Sequence, residues 1–88
     1  MDMIDILLNE YKEENWIEYA RCFEESDIHI KGIPQDIINA VVTILGDEVG
    51  YNWLRSPLHK LGGKNAIELL KIPKGERALK AFIMRLPN

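Results

Sequence analysis

Cys22, His29 and His59 are the cysteine and histidine side chains of this 88-residue sequence, and their spacing argues against chemistry. One cysteine makes no C-x-x-C pair, the histidines stand thirty positions apart, and no H-E-x-x-H helix occurs. The sequence thus lacks the ligand spacings that hold zinc. Cys22 precedes Phe23 on an aromatic-rich stretch with no base beside it, so it reads as a small core or edge residue rather than a nucleophile. Glu13-Glu14 and Glu24-Glu25 are acidic pairs at helix ends, and general acid–base work would need a cleft that their neighbours do not announce. Gly62-Gly63-Lys64 invites a phosphate loop and departs from it twice. Leu58 stands where the first glycine belongs, and Asn65 replaces the Ser or Thr after the lysine. A tight turn that needs glycine backbone is the better reading. No catalytic residue, metal or cofactor is expected, and the chain is not read as an enzyme.

Charge points to a partner instead. Residues 1–50 carry twelve acids and three bases, a balance of −9, and residues 51–88 carry eight bases and two acids, a balance of +6. A chain divided this way is unlike one that coats nucleic acid with its whole surface, though either half could meet a charged partner. A helix-turn-helix needs two helices joined by a short turn. The connection between the helices expected at 47–55 and 65–71 contains Pro57 and two glycines and is too long. The N-terminal helix pair has the shorter connection, but its acids would repel phosphate. DNA binding is therefore doubtful.

The elements that must position these residues are helical. Ile4, Leu7, Leu8 and Tyr11 form an i, i+3, i+4, i+7 stripe, as do Trp16, Tyr19, Ala20 and Phe23. The five-residue step from Tyr11 to Trp16 puts the stripes on different faces and predicts two short helices broken near residues 13–15. Asn15-Trp16-Ile17-Glu18 reads as a capping box there. Residues 27–33 read as an extended linker. Pro34 opens a helix carrying Ile37, Ile38, Val41, Val42 and Leu45, and Gly46 stops it. Asp47 is expected to cap the next helix, which carries Val49, Trp53 and Leu54 and ends before Ser56-Pro57. Gly50 inside that helix signals close packing, because glycine there costs about 1 kcal/mol against alanine. Residues 58–64 read as a loop, and Asn65-Ala66-Ile67-Glu68 as a second capping box opening a helix over 66–71. Pro73 breaks the chain, and a last helix runs from residue 74 or 75 to about 85. The expected fold is all-α, a small bundle of five to six short helices.

Length allows one compact unit, since domains typically take roughly 100–150 residues. The longest apolar run is Ala81-Phe82-Ile83-Met84, against the ~20 residues of a membrane span. The acidic start is unlike a secretory signal, and one cysteine fits a reducing cytoplasm. A cytoplasmic protein away from the membrane is the expectation.

Four pieces occur in order: Trp53-Leu54-Arg55-Ser56-Pro57, then Leu58-His59-Lys60-Leu61-Gly62-Gly63-Lys64, then Ile67-Glu68-Leu69-Leu70, then Gly75-Glu76-Arg77-Ala78-Leu79. Together they resemble the toxin-binding domain of the Xre/MbcA/ParS-like antitoxins. In that family a helix ends in tryptophan-leucine, a proline loop leads to leucine-glycine-glycine-lysine, and a capped helix and a glycine-glutamate helix start follow. The resemblance spans residues 34–86 and divides the chain into an acidic helical segment with linker, 1–33, and a toxin-binding domain, 34–88. Two departures stand out. Asn65-Ala66 replaces the family's threonine-proline, and 1–33 is too short and too acidic for the helix-turn-helix domain of longer members.

The resemblance implies an antitoxin of a type II toxin–antitoxin system that neutralises a RES-type, NAD-consuming toxin by direct binding. It places the contact at Lys60, Leu61, Gly62, Gly63 and Lys64, at Arg77, Lys80 and Arg85 of the last helix, and at Pro87 and Asn88. Basic residues are expected to ring the contact, while the apolar turn and the carboxyl terminus enter the toxin's cleft. Leu61 doubles as a core candidate with Trp53, Leu54, Leu69, Leu70, Leu79 and Phe82. Two other functions stand beside this one: a DNA-binding transcriptional regulator, and a family-like interaction module without a toxin. In the latter the N-terminal helices, with their aromatic stripe, would serve a homodimer.

Overall fold

The computed structural model describes residues 3–86 as six α-helices and one 3-10 turn. The helices are α1 (Met3–Glu10), α2 (Glu13–Ala20), α3 (Gln35–Leu45), α4 (Asp47–Arg55), α5 (Ala66–Leu70) and α6 (Pro73–Ile83), with the 3-10 turn at His59–Leu61. Among the described residues there is no strand, only an isolated antiparallel bridge from Leu58 to Lys64. The all-α expectation holds. Among the described residues no helix is long and apolar enough to cross a membrane. The radius of gyration, 12.0 Å, equals the ~12 Å of a compact chain of this length.

One core joins both ends of the sequence. Leu7 of α1 and Trp16 of α2 belong to the same buried cluster as Ile37, Ile38 and Val41 of α3, Leu54 of α4, Leu69 of α5 and Leu79 of α6. Residues 1–33 thus help to build the core that 34–86 closes. The main packings are α3 on α4, α1 on α6 and α5 on α6. Trp16 is 1% exposed, and its ring meets Tyr19, which in turn meets Phe23 edge-on. The aromatic stripe of α2 therefore turns largely inward.

Several boundaries differ from expectation, each for a local reason. α2 starts at Glu13, because the Lys12 carbonyl already accepts from the Asn15 and Trp16 amides. Asn15 is then inside the helix, its capping box does not form, and Glu18 pairs with Arg21 at 3.0 Å instead. Asp47 does not cap α4. Gly46, at φ +91°, is at once the end of α3 and the N-cap of α4, so Asp47 is the first helical residue. Its glycine takes a backbone shape that L side chains rarely adopt. Val49 faces water at 58% exposure. Pro73 opens α6 rather than breaking the chain before it, since a missing N–H costs nothing in the first turn. Gly50 is buried as foreseen: a Cβ there would lie 2.9 Å from the Val42 Cα, so α4 crosses α3 backbone to backbone.

Candidate partner-binding face

The glycine turn is built from the inside out. Leu61, fully buried, anchors the 3-10 turn against the core beside α1. The Leu58 carbonyl accepts from the Leu61 amide at 2.9 Å and from the Gly63 amide at 3.0 Å, while the Leu58 amide donates to the Lys64 carbonyl at 2.9 Å. Closing this loop requires φ of +78° at Gly62 and +76° at Gly63, and a Cβ at either would meet nothing within 4 Å. Backbone conformation alone selects these glycines. The turn leaves Lys60, Gly62, Gly63 and Lys64 exposed and Leu61 hidden. Directly after it, the second capping box forms in full: the Glu68 amide donates to Asn65 Oδ1 at 2.9 Å, and the Asn65 amide donates to Glu68 Oε1 at 3.1 Å.

The last helix does not present the row of free cations expected of it. Arg77 is exposed. Lys80 is 8% exposed, a correction to its place on an outward face. Its ammonium lies 3.0 Å from Glu76 and 4.0 Å from Glu13, above the Trp16 ring at 5.6 Å. The Trp16 Nε1–H donates to Asp36 at 3.0 Å. An almost fully buried ammonium needs such partners, because desolvating it alone is expensive. Arg85 is held by the Glu10 carboxylate and reaches Met3 Sδ at 3.9 Å. Lys74 pairs with Asp5 at 3.8 Å. Asp5 and Glu10 of α1 and Glu13 of α2 thus answer three of the four bases that follow Pro73, and that part of the charge division is satisfied inside the molecule. Pro87 and Asn88 lie outside the described residues.

Lys60 and Arg85 nevertheless come together. With Met3, Phe82 and Leu86 they line a recess of about 170 Å³ between α1, the 3-10 turn and the end of α6. Phe82 is backed by Trp53, ring stacked on ring at 6.1 Å and 10°. Lys64, Arg77 and Lys80 line no part of it. Met3 and Leu86 were not legible as site residues, because only the packing of α1 on α6 brings position 3 beside position 86. The sole local signal was Leu86 continuing the Leu79, Phe82, Ile83 stripe.

Other chemistry-bearing groups lie elsewhere. Cys22 is exposed, its thiol directed at the Glu18 carbonyl at 3.4 Å. The Tyr11 hydroxyl donates to Glu13 at 2.7 Å. Burial first, and that bond to a carboxylate second, push its pKa well above the ordinary phenol value. Burial raises Tyr19 as well. A second recess, lined by Glu24, Glu25, Asp27 and Asp47 among others, is acidic. Among the described residues no group of three or more His, Cys, Asp or Glu side chains could hold a metal ion. No protein-family model, curated protein or solved structure matches the chain.

Proposed function

We propose that the chain is an antitoxin, acting in the cytoplasm, that neutralises a RES-type, NAD-consuming toxin by direct protein–protein contact through its C-terminal region. The observation that carries this reading is the convergence of the exposed glycine turn with the end of the last helix: Lys60 and Arg85 border one recess. The ordered pieces from Trp53 to Leu79 support it: the two left-handed glycines of the turn lie within them, and Asn65 still caps the helix that follows although it departs from the family pattern. Burial of Leu61 and Lys80 narrows the contact to Lys60, Lys64, Arg77 and Arg85, together with Gly62, Gly63 and the terminal Pro87 and Asn88. Acids on the toxin's rim would meet these bases, which serves specificity and association rate more than raw affinity.

The test begins with the adjacent gene, where a RES-type reading frame is expected, and continues with a titration of its purified product by the purified full chain, following loss of NAD. Stoichiometric chain is expected to bring NAD consumption to background and to co-elute with the toxin. Removing Pro87 and Asn88 alone is expected to weaken the complex about tenfold or more, the effect of one lost anchor of ~1.4 kcal/mol. That truncation leaves Arg85 on Glu10. NAD consumption unaffected by excess chain would overturn the assignment.

A further inference from the structure

The recess between α1, the 3-10 turn and α6 has an apolar floor and a cationic rim. Met3, Phe82 and Leu86 supply the floor, and Lys60 and Arg85 the rim. One part of the floor is preorganised, because Trp53 stacks behind Phe82. So is half of the rim: Glu10 and the Met3 sulfur fix the Arg85 guanidinium. Glu10 offsets that charge. Lys60 is different, being exposed and held by no hydrogen bond or ion pair among the described residues. Among the described residues the rim thus keeps a surplus positive charge beside an apolar hollow.

Size restricts the occupant. Pockets for cofactors and drug-sized ligands run upward from about 300 Å³, and this one offers about 170 Å³. A cavity of about 150 Å³ with aliphatic and aromatic walls holds one benzene ring. The recess therefore suits a single ring or branched alkyl group, and a dinucleotide is too large for it.

We infer that this recess receives one large apolar side chain of a protein partner, presented by an acidic segment whose carboxylate pairs with Lys60. Charge complementarity selects that occupant. A neutral or basic segment seated there would strip water from Lys60 with no counter-ion in exchange. A buried aromatic or aliphatic anchor beside a charged pair is also the pattern by which few residues carry most of an interface's affinity. The inference rests on the reading of the chain as a partner-binding protein and adds a direction of insertion: here the partner's side chain enters this chain.

The test uses the full chain, labelled with ¹⁵N and with ¹³C methyl groups, and two hexapeptides with acetylated and amidated ends. One peptide has a phenylalanine flanked by aspartates and glutamates, and the other has the corresponding asparagines and glutamines. The acidic peptide is expected to shift the methyl signals of Met3 and Leu86 and the amides of Lys60 and Phe82. It should bind about fivefold tighter than the amide peptide, the effect of one exposed ion pair. Lys60→Glu should abolish that preference and Lys60→Arg retain it, with amide signals far from the recess unchanged. Shifts confined to other surfaces, or equal binding of the two peptides, would overturn the inference. With the RES-domain toxin, loss of binding in Lys60→Glu agrees with it. Equal capture by wild type and Lys60→Glu sinks the recess and leaves the antitoxin reading standing. Capture by neither sinks the antitoxin reading, and the peptides then decide the recess alone.

Discussion

At Gly75 the absence of a side chain is set by a backbone atom. A Cβ there would lie 2.2 Å from the Leu69 carbonyl oxygen and 2.9 Å from its carbonyl carbon, where α6 leaves the short turn after α5. Gly75 has an ordinary negative φ, so alanine would be welcome by helix propensity, by about 1 kcal/mol. Contact decides the sign instead, because a main-chain carbonyl has no rotamer by which to move away. Gly75→Ala is expected to destabilise by about 2–3 kcal/mol net, a fall of roughly 10–20 °C in Tm for a domain of this size. Thermal unfolding followed by circular dichroism measures it, and a Tm within a few degrees of wild type would refute the steric account. Lys80 makes the same point with charge. Basic residues in sequence look like solvent-facing groups, yet this one is enclosed by Glu76, Glu13 and Trp16. Its aliphatic stem does the packing, and its ammonium persists there only because two carboxylates face it.

Two stretches of the sequence carry the same asparagine-x-x-glutamate cue, and only one becomes a helix start. At Asn65 both reciprocal bonds form. At Asn15 neither does, because the first turn of α2 is already closed on Lys12. Asn65→Ala is therefore expected to cost about 1 kcal/mol, roughly 4–8 °C in Tm. Asn15→Ala, in an exposed helix interior, should be neutral or stabilising by a few tenths of a kcal/mol. Parallel melting curves of the two variants give the comparison, and equal losses would contradict the assigned helix starts. The pair also shows what the sequence makes legible. Elements follow from periodicity and from backbone-restricted residues: the α3 stripe, the Gly46 corner, the Gly62-Gly63 turn and the close approach at Gly50 all stand as read. Starts governed by local competition for the first turn do not, which is why α2, α4 and α6 each begin one to three residues early. The recess was half legible. Lys60 and Arg85 were named by the resemblance, whereas Met3 depends on a packing across more than eighty residues that no local pattern encodes.

Across the fold, part of the division of charge is a feature of packing. Asp5, Glu10 and Glu13 on the first two helices face Lys74, Arg85 and Lys80 near the other end of the chain. The exposed pairs, Asp5–Lys74 and Glu10–Arg85, contribute about 0–1 kcal/mol each, so they align the ends more than they hold them. Burial holds them. Leu7 is fully enclosed and Trp16 nearly so, and losses for cutting such side chains to alanine run at about 2–5 kcal/mol for leucine and about 3–5 for tryptophan. Together these approach the ~5–15 kcal/mol by which a domain is stable at all. The segment that resembles a toxin-binding domain is thus expected to depend on the acidic segment before it. Residues 34–88 produced alone should melt without a cooperative transition and bind a hydrophobic dye, while remaining largely helical. A sharp unfolding transition in that fragment, near the Tm of the full chain, would show that the core closes without α1 and α2. The fragment would also lack Met3, one wall of the recess, and it would leave the Lys80 ammonium without Glu13 and Trp16. For the proposed partner contact the acidic helices would act through structure: they complete the hollow and hold Arg85 at its rim, leaving Lys60 as the charge for a partner to match.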